Sequence, residues 1–160
     1  MSHGDDAILA RFDAVLRGKK CFGPVADDRI ATAETELAVS FPRSYRLFLR
    51  EYGAAVGQGI EIAGLPNTRA NDPETPFWEN VIDRTLQVRR ASGGNLPPGY
   101  VPIASDGAGG MFYLATRSVG VDGECAVVVL GPGLDDVRAA PSFIEWLEQA
   151  DAGWRFPAEA

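Results

Sequence analysis

The chain has 160 residues, 46% of them hydrophobic, which is enough to bury the core of one domain and excludes a disordered polypeptide. Its 22 acidic and 15 basic side chains leave a formal net charge of −7, which opposes general nucleic-acid binding because lysines and arginines must replace the counterions of the phosphates. The longest aliphatic run, Cys125–Leu130, is far shorter than the roughly 20 residues that cross a bilayer.

Two amphipathic helices are predicted near the amino terminus. The first covers Asp5–Leu16, where apolar residues recur at helical spacing, and Gly18 ends it. The second begins near Asp27 or Asp28, whose carboxylates suit the N-cap and the positive end of the helix dipole. The side chains expected to be buried are Ile8, Leu9, Phe12, Val15 and Leu16 in the first helix and Ile30, Ala33 and Leu37 in the second.

A third helix, a strand and a loop follow. Pro42 favours the first turn of the third helix, because its missing N–H would have no partner there, and Gly53 ends the helix. Residues Gln58–Ala63 carry isoleucine at alternate positions, which is typical of a half-buried strand, and Pro66–Pro76 is predicted to be a loop. The buried side chains of the third helix are expected to be Tyr45, Phe48, Leu49 and Tyr52.

The second half of the chain is predicted to contain most of the strands. After a short helix over Val81–Arg90, Tyr100–Ala104 and Met111–Ala115 form strands joined by a glycine-rich hairpin connection. Glu124–Leu130 is expected to be a central strand because its apolar run is continuous. The last helix opens with a capping box, Ser142 followed by Glu145, and buries Phe143, Ile144 and Leu147.

Helices at both ends around neighbouring strands predict an α+β fold, with an antiparallel sheet of about four to six strands flanked by helices. No repeat or linker divides the chain, so we expect one domain over residues 5–152 with terminal extensions at 1–4 and 153–160. The first residues carry acid and no apolar segment typical of a signal peptide. Cys21 and Cys125 are accordingly expected to be reduced, partly buried thiols in a cytoplasmic protein without membrane contact.

Few residues suit catalysis or cofactor binding. The sole histidine, His3, lies in the terminal segment, and two cysteines without CxxC spacing do not build a structural zinc site. A serine or cysteine nucleophile needs a histidine held by the fold. Asp106–Gly110 lacks the lysine and the following helix of a phosphate-binding loop, so turn chemistry explains its glycines better. We expect no metal, no cofactor and no enzymatic activity, with a small hydrolase that uses paired carboxylates as the third-ranked hypothesis.

Acidic residues gather in two stretches, between residues 70 and 83 and between residues 118 and 137. The first contains Phe77 and Trp78, and an aromatic anchor ringed by charge is common in protein interfaces. Two other interpretations stay open, because Trp78 also suits the edge of a core and negative charge also serves solubility. The candidate partner-binding residues are Asp72, Glu74, Phe77, Trp78, Glu79, Asp83, Asp122 and Glu124.

Basic residues form one further pattern. Arg43, Arg46 and Arg50 fall at helical spacing opposite the buried side of the third helix, and we call them the arginine row. The acidic stretches favour a basic partner through long-range attraction, whereas the arginine row would imply an acidic one. An ordinary polar helix face is the alternative interpretation of the row.

Residues Asp28–Gly53, DRIATAETELAVSFPRSYRLFLREYG, resemble the signature of the SUKH superfamily of Smi/Knr-like proteins. That signature is an acid-rich helix, a short apolar bridge into proline, and then a tyrosine and a Phe-Leu pair on the next helix. The resemblance continues through GIEIAGLPN, LPPGYVPIASDGAGGMFYL and SFIEWLE, but Gly53-Ala54-Ala55 stands where members often carry Asn-Gly-Gly. The matching positions are Ile30, Glu34, Leu37, Phe41, Pro42, Tyr45, Phe48 and Leu49.

The resemblance implies a sheet flanked by helices, no catalytic residues and no cofactor. Many bacterial members look like immunity proteins that bind and silence a toxin from a neighbouring gene, and fungal relatives look like scaffolds in cell-wall regulation. The leading hypothesis is therefore a protein-binding domain that neutralises a bacterial toxin domain encoded nearby. The alternative is a regulatory or scaffolding interaction module of the Smi/Knr type without a toxin partner.

Overall fold

The structure, a computed structural model, describes residues 3–57, 60–65, 80–105 and 109–152. Five helices form within these ranges: α1 (His3–Leu16), α2 (Asp27–Leu37), α3 (Arg43–Tyr52), α4 (Val81–Ala91) and α5 (Phe143–Asp151). The strands of the same ranges are β1 (Lys20–Cys21), β2 (Ala55–Gly57), β3 (Ile60–Ile62), β4 (Tyr100–Ser105), β5 (Met111–Ala115), β6 (Val127–Gly131) and β7 (Leu134–Ala140). The predicted α+β class is confirmed.

The predicted antiparallel pairing is found in two sheets. The small sheet has the order β1-β2-β3 and the large sheet the order β4-β5-β6-β7, so β6 is central as predicted. The Ala63 N–H donates to the Ile103 carbonyl over 2.8 Å, which joins the small sheet to the large one. Strands β1, β2 and β7 have no counterpart among the predicted elements, and the strand expected from Glu124 begins only at Val127.

The two faces of the large sheet pack against different partners. Phe112 and Leu114 of β5 face the main core and are almost completely buried. Tyr113 and Ala115 point the other way and, with Val88 of α4 packed against them, belong to a second, smaller apolar cluster. The valines of β6 divide between the same two clusters, which explains why the apolar run of this central strand is continuous.

The main core lies where α1, α3 and α5 meet. The Phe48 ring of α3 lies 6.0 Å from the Phe12 ring of α1 and 5.3 Å from the Phe143 ring of α5, measured between centroids. Large aromatic side chains contribute most of the apolar area of such a core. The predicted buried residues that the structure confirms are Phe12, Val15, Leu16, Ile30, Ala33, Leu37, Tyr45, Phe48, Leu49, Phe143, Ile144 and Leu147. Ile8, Leu9 and Tyr52 are partly buried against them.

The predicted N-cap is correct for α5 and wrong for α2. Ser142 caps α5 as predicted, since its Oγ accepts the Glu145 N–H over 3.3 Å and donates to Glu145 Oε1 over 3.0 Å. The expectation that Asp27 or Asp28 caps α2 is wrong, because Ala26 is the N-cap and makes no side-chain hydrogen bond. Both aspartates lie in the first turn, where their charge still favours the helix dipole.

Three glycines, Gly23, Gly53 and Gly64, bring backbone segments into direct contact where α3 leads into the small sheet. Gly53 follows α3 as predicted and has a φ of 76°, in the left-handed region that favours glycine. A Cβ on Gly64 would lie 1.8 Å from the Gly53 carbonyl oxygen, and a Cβ on Gly23 would lie 2.5 Å from the backbone at the end of α3. We call these three glycines the glycine junction. Ala54 and Ala55, which follow Gly53 in the sequence, are fully buried.

Burial raises the pKa of several thiol and tyrosine hydroxyl groups, so these groups keep their protons in the native state at alkaline pH. It raises the pKa of the Cys125 thiol from 9.0 to about 12 and raises the pKa values of the Tyr45 and Tyr113 hydroxyls above 10.0. The unfolded chain releases these protons first, so the native state then holds more protons and its stability falls as the pH rises. We expect the urea midpoint to be level near neutral pH and to fall steadily from about pH 9 upwards, towards the pKa values of the folded protein.

Tyr45→Phe is the matched control for this titration. The Tyr45 hydroxyl donates to the Ala63 carbonyl over 2.7 Å, so its loss should cost about 1 kcal/mol at neutral pH. Between neutral and alkaline pH, the free energy of unfolding of the variant should nevertheless fall less than that of the parent. The reason is that the variant lacks the Tyr45 hydroxyl, whose proton the native state retains. A parent midpoint that stays constant up to about pH 10.5 would contradict the prediction.

Candidate functional site

Five of the predicted partner-binding residues lie outside the described residues: Asp72, Glu74, Phe77, Trp78 and Glu79. The described chain on either side of them is attached to the glycine junction. The Leu65 N–H donates to the Gly53 carbonyl over 2.8 Å, and the Val81 N–H donates to the Gly64 carbonyl over 2.7 Å. The two flanks of this acidic stretch are therefore held at one place in the fold.

Asp83 is the nearest described candidate to that stretch. It is partly exposed in the first turn of α4, and its N–H donates to the side-chain oxygen of Asn80 over 3.2 Å. The same oxygen accepts the Ile82 N–H over 2.9 Å, so Asn80 is an effective N-cap. The Asp83 carboxylate lies at the positive end of the helix dipole, where it stabilises α4 and remains accessible to a partner.

Glu124 makes hydrogen bonds within the fold. Its carboxylate accepts the Ser44 N–H over 3.0 Å and the Ser44 hydroxyl over 2.9 Å at the start of α3. Pro42 is the N-cap of α3, one position before the first turn predicted for it, and offers no side-chain acceptor. Burial raises the pKa of the Glu124 carboxyl, and the hydrogen bonds from Ser44 oppose that shift. Glu124 thus supplies from a distant loop the acceptor that Pro42 cannot supply.

Ser44 extends this contact to a second helix. Its side chain is completely buried, and its Oγ accepts the Ile144 N–H at the start of α5 over 3.3 Å. One serine therefore joins the amino-terminal ends of α3 and α5 to the segment that carries Glu124. We call that segment, residues 116–126 between β5 and β6, the β5–β6 loop.

Asp122 lies in the β5–β6 loop and is exposed. Its Oδ1 accepts the Glu124 N–H over 3.0 Å, which holds the two acidic residues in one turn. The structure therefore brings Asp122 and Glu124 together and places Asp83 on a different element, α4. Of the three described candidates, Asp122 is the most exposed, while the Glu124 carboxylate is engaged by Ser44.

The arginine row lies on the outer side of α3, as the helical spacing predicts. Each guanidinium has a carboxylate beside it, so the charges of the row are compensated locally. The partners of Arg43, Arg46 and Arg50 are Asp5, Glu34 and Glu51, at 2.7, 2.6 and 3.4 Å. A groove of about 400 Å³ runs beside the row and is lined on its other side by residues of the β5–β6 loop.

The β5–β6 loop also exposes apolar side chains that the sequence reasoning missed. Val121 is fully exposed, and Val119 is 46% exposed and lines the groove beside the arginine row. The signal available in the sequence is the segment SVGVDGE, in which valines stand among turn-forming glycine and aspartate residues. Such valines do not belong to a strand, so their exposure could have been suspected.

Burial raises the pKa of both cysteine thiols, Cys21 and Cys125, above the ordinary value. Cys21 and Cys125 are both free thiols, as predicted, and Cys125 is buried. Its raised pKa keeps the Cys125 thiol protonated, whereas nucleophilic attack needs the thiolate. Over the described ranges, no three His, Cys, Asp or Glu side chains are grouped so that they could hold a metal ion. In the same ranges, no helix combines the length and apolar character needed to span a membrane.

Two comparisons with known proteins concern the chain as a whole. A family model described as SUKH_5, SMI1-KNR4 cell-wall, matches residues 16–152. The match runs from the last residue of α1 to the residue after α5, so it includes both sheets and the glycine junction. A search of curated proteins finds no match.

Proposed function

This chain belongs to the SMI1-KNR4 family of the SUKH superfamily, and from that membership we propose that it is a non-catalytic protein-binding domain that neutralises a bacterial toxin domain. The family match over residues 16–152 is the observation that carries the proposal. The proposal includes one domain over residues 5–152 and a location in the cytoplasm, where the protein would meet a toxin encoded by a neighbouring gene.

The residues of the family signature hold the fold together, which supports a binding role. The Glu34 carboxylate accepts the Phe41 N–H over 2.7 Å and the Arg46 guanidinium over 2.6 Å, which fixes the connection between α2 and α3. Tyr45 and Phe48 are completely buried in the core. Because these signature residues build the scaffold, partner recognition is assigned to other residues, on the surface.

Charge supports a basic partner. Beyond the net charge of −7, residues 70–83 contain four acidic side chains and no basic one. A toxin that acts on nucleic acid needs a basic cleft, and an acidic inhibitor can fill that cleft as a phosphate chain does. The proposed binding residues belong to the acidic stretch and to the β5–β6 loop. They are Asp72, Glu74, Glu79, Asp83 and Asp122, with Phe77 and Trp78 as aromatic anchors and Glu124 holding the loop.

The neighbouring genes provide the direct test. Each protein encoded beside this chain is expressed in a host cell, alone and together with the chain. We expect one neighbour to inhibit growth when it is alone, to be tolerated when the chain is present, and to form a complex with the purified chain. If no neighbour inhibits growth, or if the chain neither binds nor protects against the one that does, the immunity role is wrong.

Charge reversal tests the acidic surface. Changing Asp72, Glu74 and Glu79 together to Lys should slow association with the toxin at least tenfold at low salt, because the steering attraction becomes repulsion. The difference should shrink as salt is added, since exposed charges are screened beyond about 8–10 Å at physiological ionic strength. Stopped-flow association at several salt concentrations measures both effects.

The control for this variant reverses three exposed acidic residues elsewhere, Asp6, Asp28 and Glu36. It changes the net charge by the same amount, so it separates the local surface from the overall charge. We expect it to associate more slowly than the parent but clearly faster than the first variant. Equal association rates for the two folded variants would mean that the acidic stretch is not the binding surface, and the arginine row would become the next candidate.

A regulatory or scaffolding role without a toxin is the second candidate. The matched family model is described as SMI1-KNR4 cell-wall, and this description suggests how to test the alternative. Under this alternative no neighbouring protein is toxic, and deletion of the gene changes the sensitivity of the cell to agents that stress the cell wall. Growth of the deletion strain on such agents separates the two functions.

A further inference from the structure

The β5–β6 loop carries an unusual combination of exposed apolar groups and tight internal bonding. Within the described ranges, the large apolar side chains with the greatest exposure are Val119 and Val121, and both belong to this loop. Isolated exposed apolar residues are ordinary, but two of them in a single short loop form a local feature. Their exposure calls for a physical explanation because apolar surface left in water is unfavourable.

The loop is held in one conformation by hydrogen bonds. The Gly120 N–H donates to the Glu124 carbonyl over 2.8 Å, and the Gly123 N–H donates to the Gly120 carbonyl over 3.0 Å. The Arg43 N–H donates to the Gly123 carbonyl over 2.9 Å, and Ser44 binds the Glu124 carboxylate. Val121 is therefore displayed at the tip of a turn that is closed internally and attached to α3.

A loop that is ordered before binding loses little conformational entropy when a partner covers it. Apolar side chains displayed on such loops are effective contacts, because the gain from burial is not offset by the cost of ordering the chain. The Asp122 carboxylate lies next to Val121 in the sequence and is exposed, which adds a negative charge beside the apolar tip. The same loop has one exposed basic residue, Arg117. Its side chain lies beside Gly99, the residue before β4.

We propose that the β5–β6 loop is a preorganised docking element, in which Val121 enters an apolar pocket of the protein partner and Asp122 meets a basic side chain at the border of that pocket. The inference rests on the proposed function, since it names part of the surface that binds the toxin. It is independent of the acidic stretch at residues 70–83, which contributes long-range attraction, whereas the loop contributes close apolar contact.

Substitution of Val121 tests the contact without disturbing the fold, because the side chain is fully exposed. The probe is the toxic neighbour that the parent chain binds. Val121→Asp should weaken binding at least tenfold, although it adds negative charge that a basic partner would otherwise favour. Val121→Ile keeps the apolar character and should bind within about threefold of the parent. Ala10→Asp, which adds the same charge on the exposed side of α1, should also bind like the parent.

The outcomes separate the loop from the proposed function. If the parent binds the neighbour and Val121→Asp binds equally well, the docking inference is wrong while the function stands. If the parent binds no neighbour, the proposed function fails. If sedimentation shows that the parent self-associates and that Val121→Asp alone abolishes this, the loop contacts a second copy of the chain, and the inference of a toxin pocket is overturned.

Hydrogen exchange tests the preorganisation without any partner. The N–H groups of Gly120, Gly123 and Glu124 should exchange at least tenfold more slowly than in an unstructured peptide, because each donates a hydrogen bond within the loop. Val121 and Asp122, whose N–H groups have no acceptor among the described residues, are internal references and should exchange rapidly. Equally fast exchange at all five positions would show that the loop is not ordered, and the inference would fail.

Discussion

Replacing Phe48 by Ala should lower the free energy of unfolding by about 3–5 kcal/mol. The ring is fully buried, and its neighbours belong to three helices: Phe12 of α1, Tyr45 and Tyr52 of α3, and Phe143 of α5, with centroids 5.3–6.1 Å away. Removal leaves a cavity that these rings can fill only in part, so the lost burial and the cavity both contribute. The loss is a large share of the roughly 5–15 kcal/mol expected for a whole domain.

Ser142→Ala provides the comparison within the same core region. It removes one cap at the start of α5 without opening a cavity, so we expect a loss of only about 1 kcal/mol. Urea unfolding followed by circular dichroism measures both free energies under the same conditions. Equal stabilities for the two variants would mean that Phe48 is not at the centre of the core.

Replacing Gly64 by Ala should destabilise the protein at least as much as Phe48→Ala. The added Cβ would lie 1.8 Å from the Gly53 carbonyl oxygen and 2.9 Å from the Gly53 carbonyl carbon, so the backbone itself must move. That movement is opposed by two hydrogen bonds, one from Leu65 to Gly53 and one from Val81 to Gly64. We expect a loss of more than about 4 kcal/mol, among the largest that single substitutions produce.

Gly18→Ala is the matched control for Gly64→Ala. Gly18 has a φ of 84°, but a Cβ there would meet nothing within 4 Å, so the substitution adds backbone strain without a collision. We expect a loss of about 1–2 kcal/mol from the left-handed conformation alone. If thermal and urea unfolding show that Gly64→Ala is no less stable than Gly18→Ala, the protein does not have the close backbone contact between Gly64 and Gly53.

Strand β7 forms by pairing with a neighbouring strand, although its own amino-acid composition does not predict a strand. Its sequence, LDDVRAA, holds three charged residues and reads as part of an acidic surface stretch. The strand forms because it pairs with β6 across the short turn at Pro132 and Gly133, and within the described part of the large sheet it is an edge strand. Charged residues are common on edge strands, where they discourage pairing with other chains. Strands β1 and β2 were missed for a related reason, since two or three residues carry too little pattern.

The candidate site was predictable only in outline. The acidic character of the surface follows from composition, and the capping box at Ser142 follows from residues three positions apart. That Glu124 turns inward to Ser44 does not follow from either residue, because the two lie 80 positions apart in the chain. The same contact fixes the β5–β6 loop and so exposes Val121, which the sequence marks only by its place among turn residues.

By itself the sequence determined the fold class, the positions of the main helices, the central place of β6 and the resemblance to the SUKH superfamily. These features depend on periodicity, helix ends and motifs whose residues lie close together, so their physics is local. The tertiary structure alone decided the division into two sheets, the glycine junction, the pairing of each arginine of the row with a carboxylate, and the ordering of the β5–β6 loop. Each of these depends on which distant segments meet when the apolar side chains are buried, and that is a property of the whole fold.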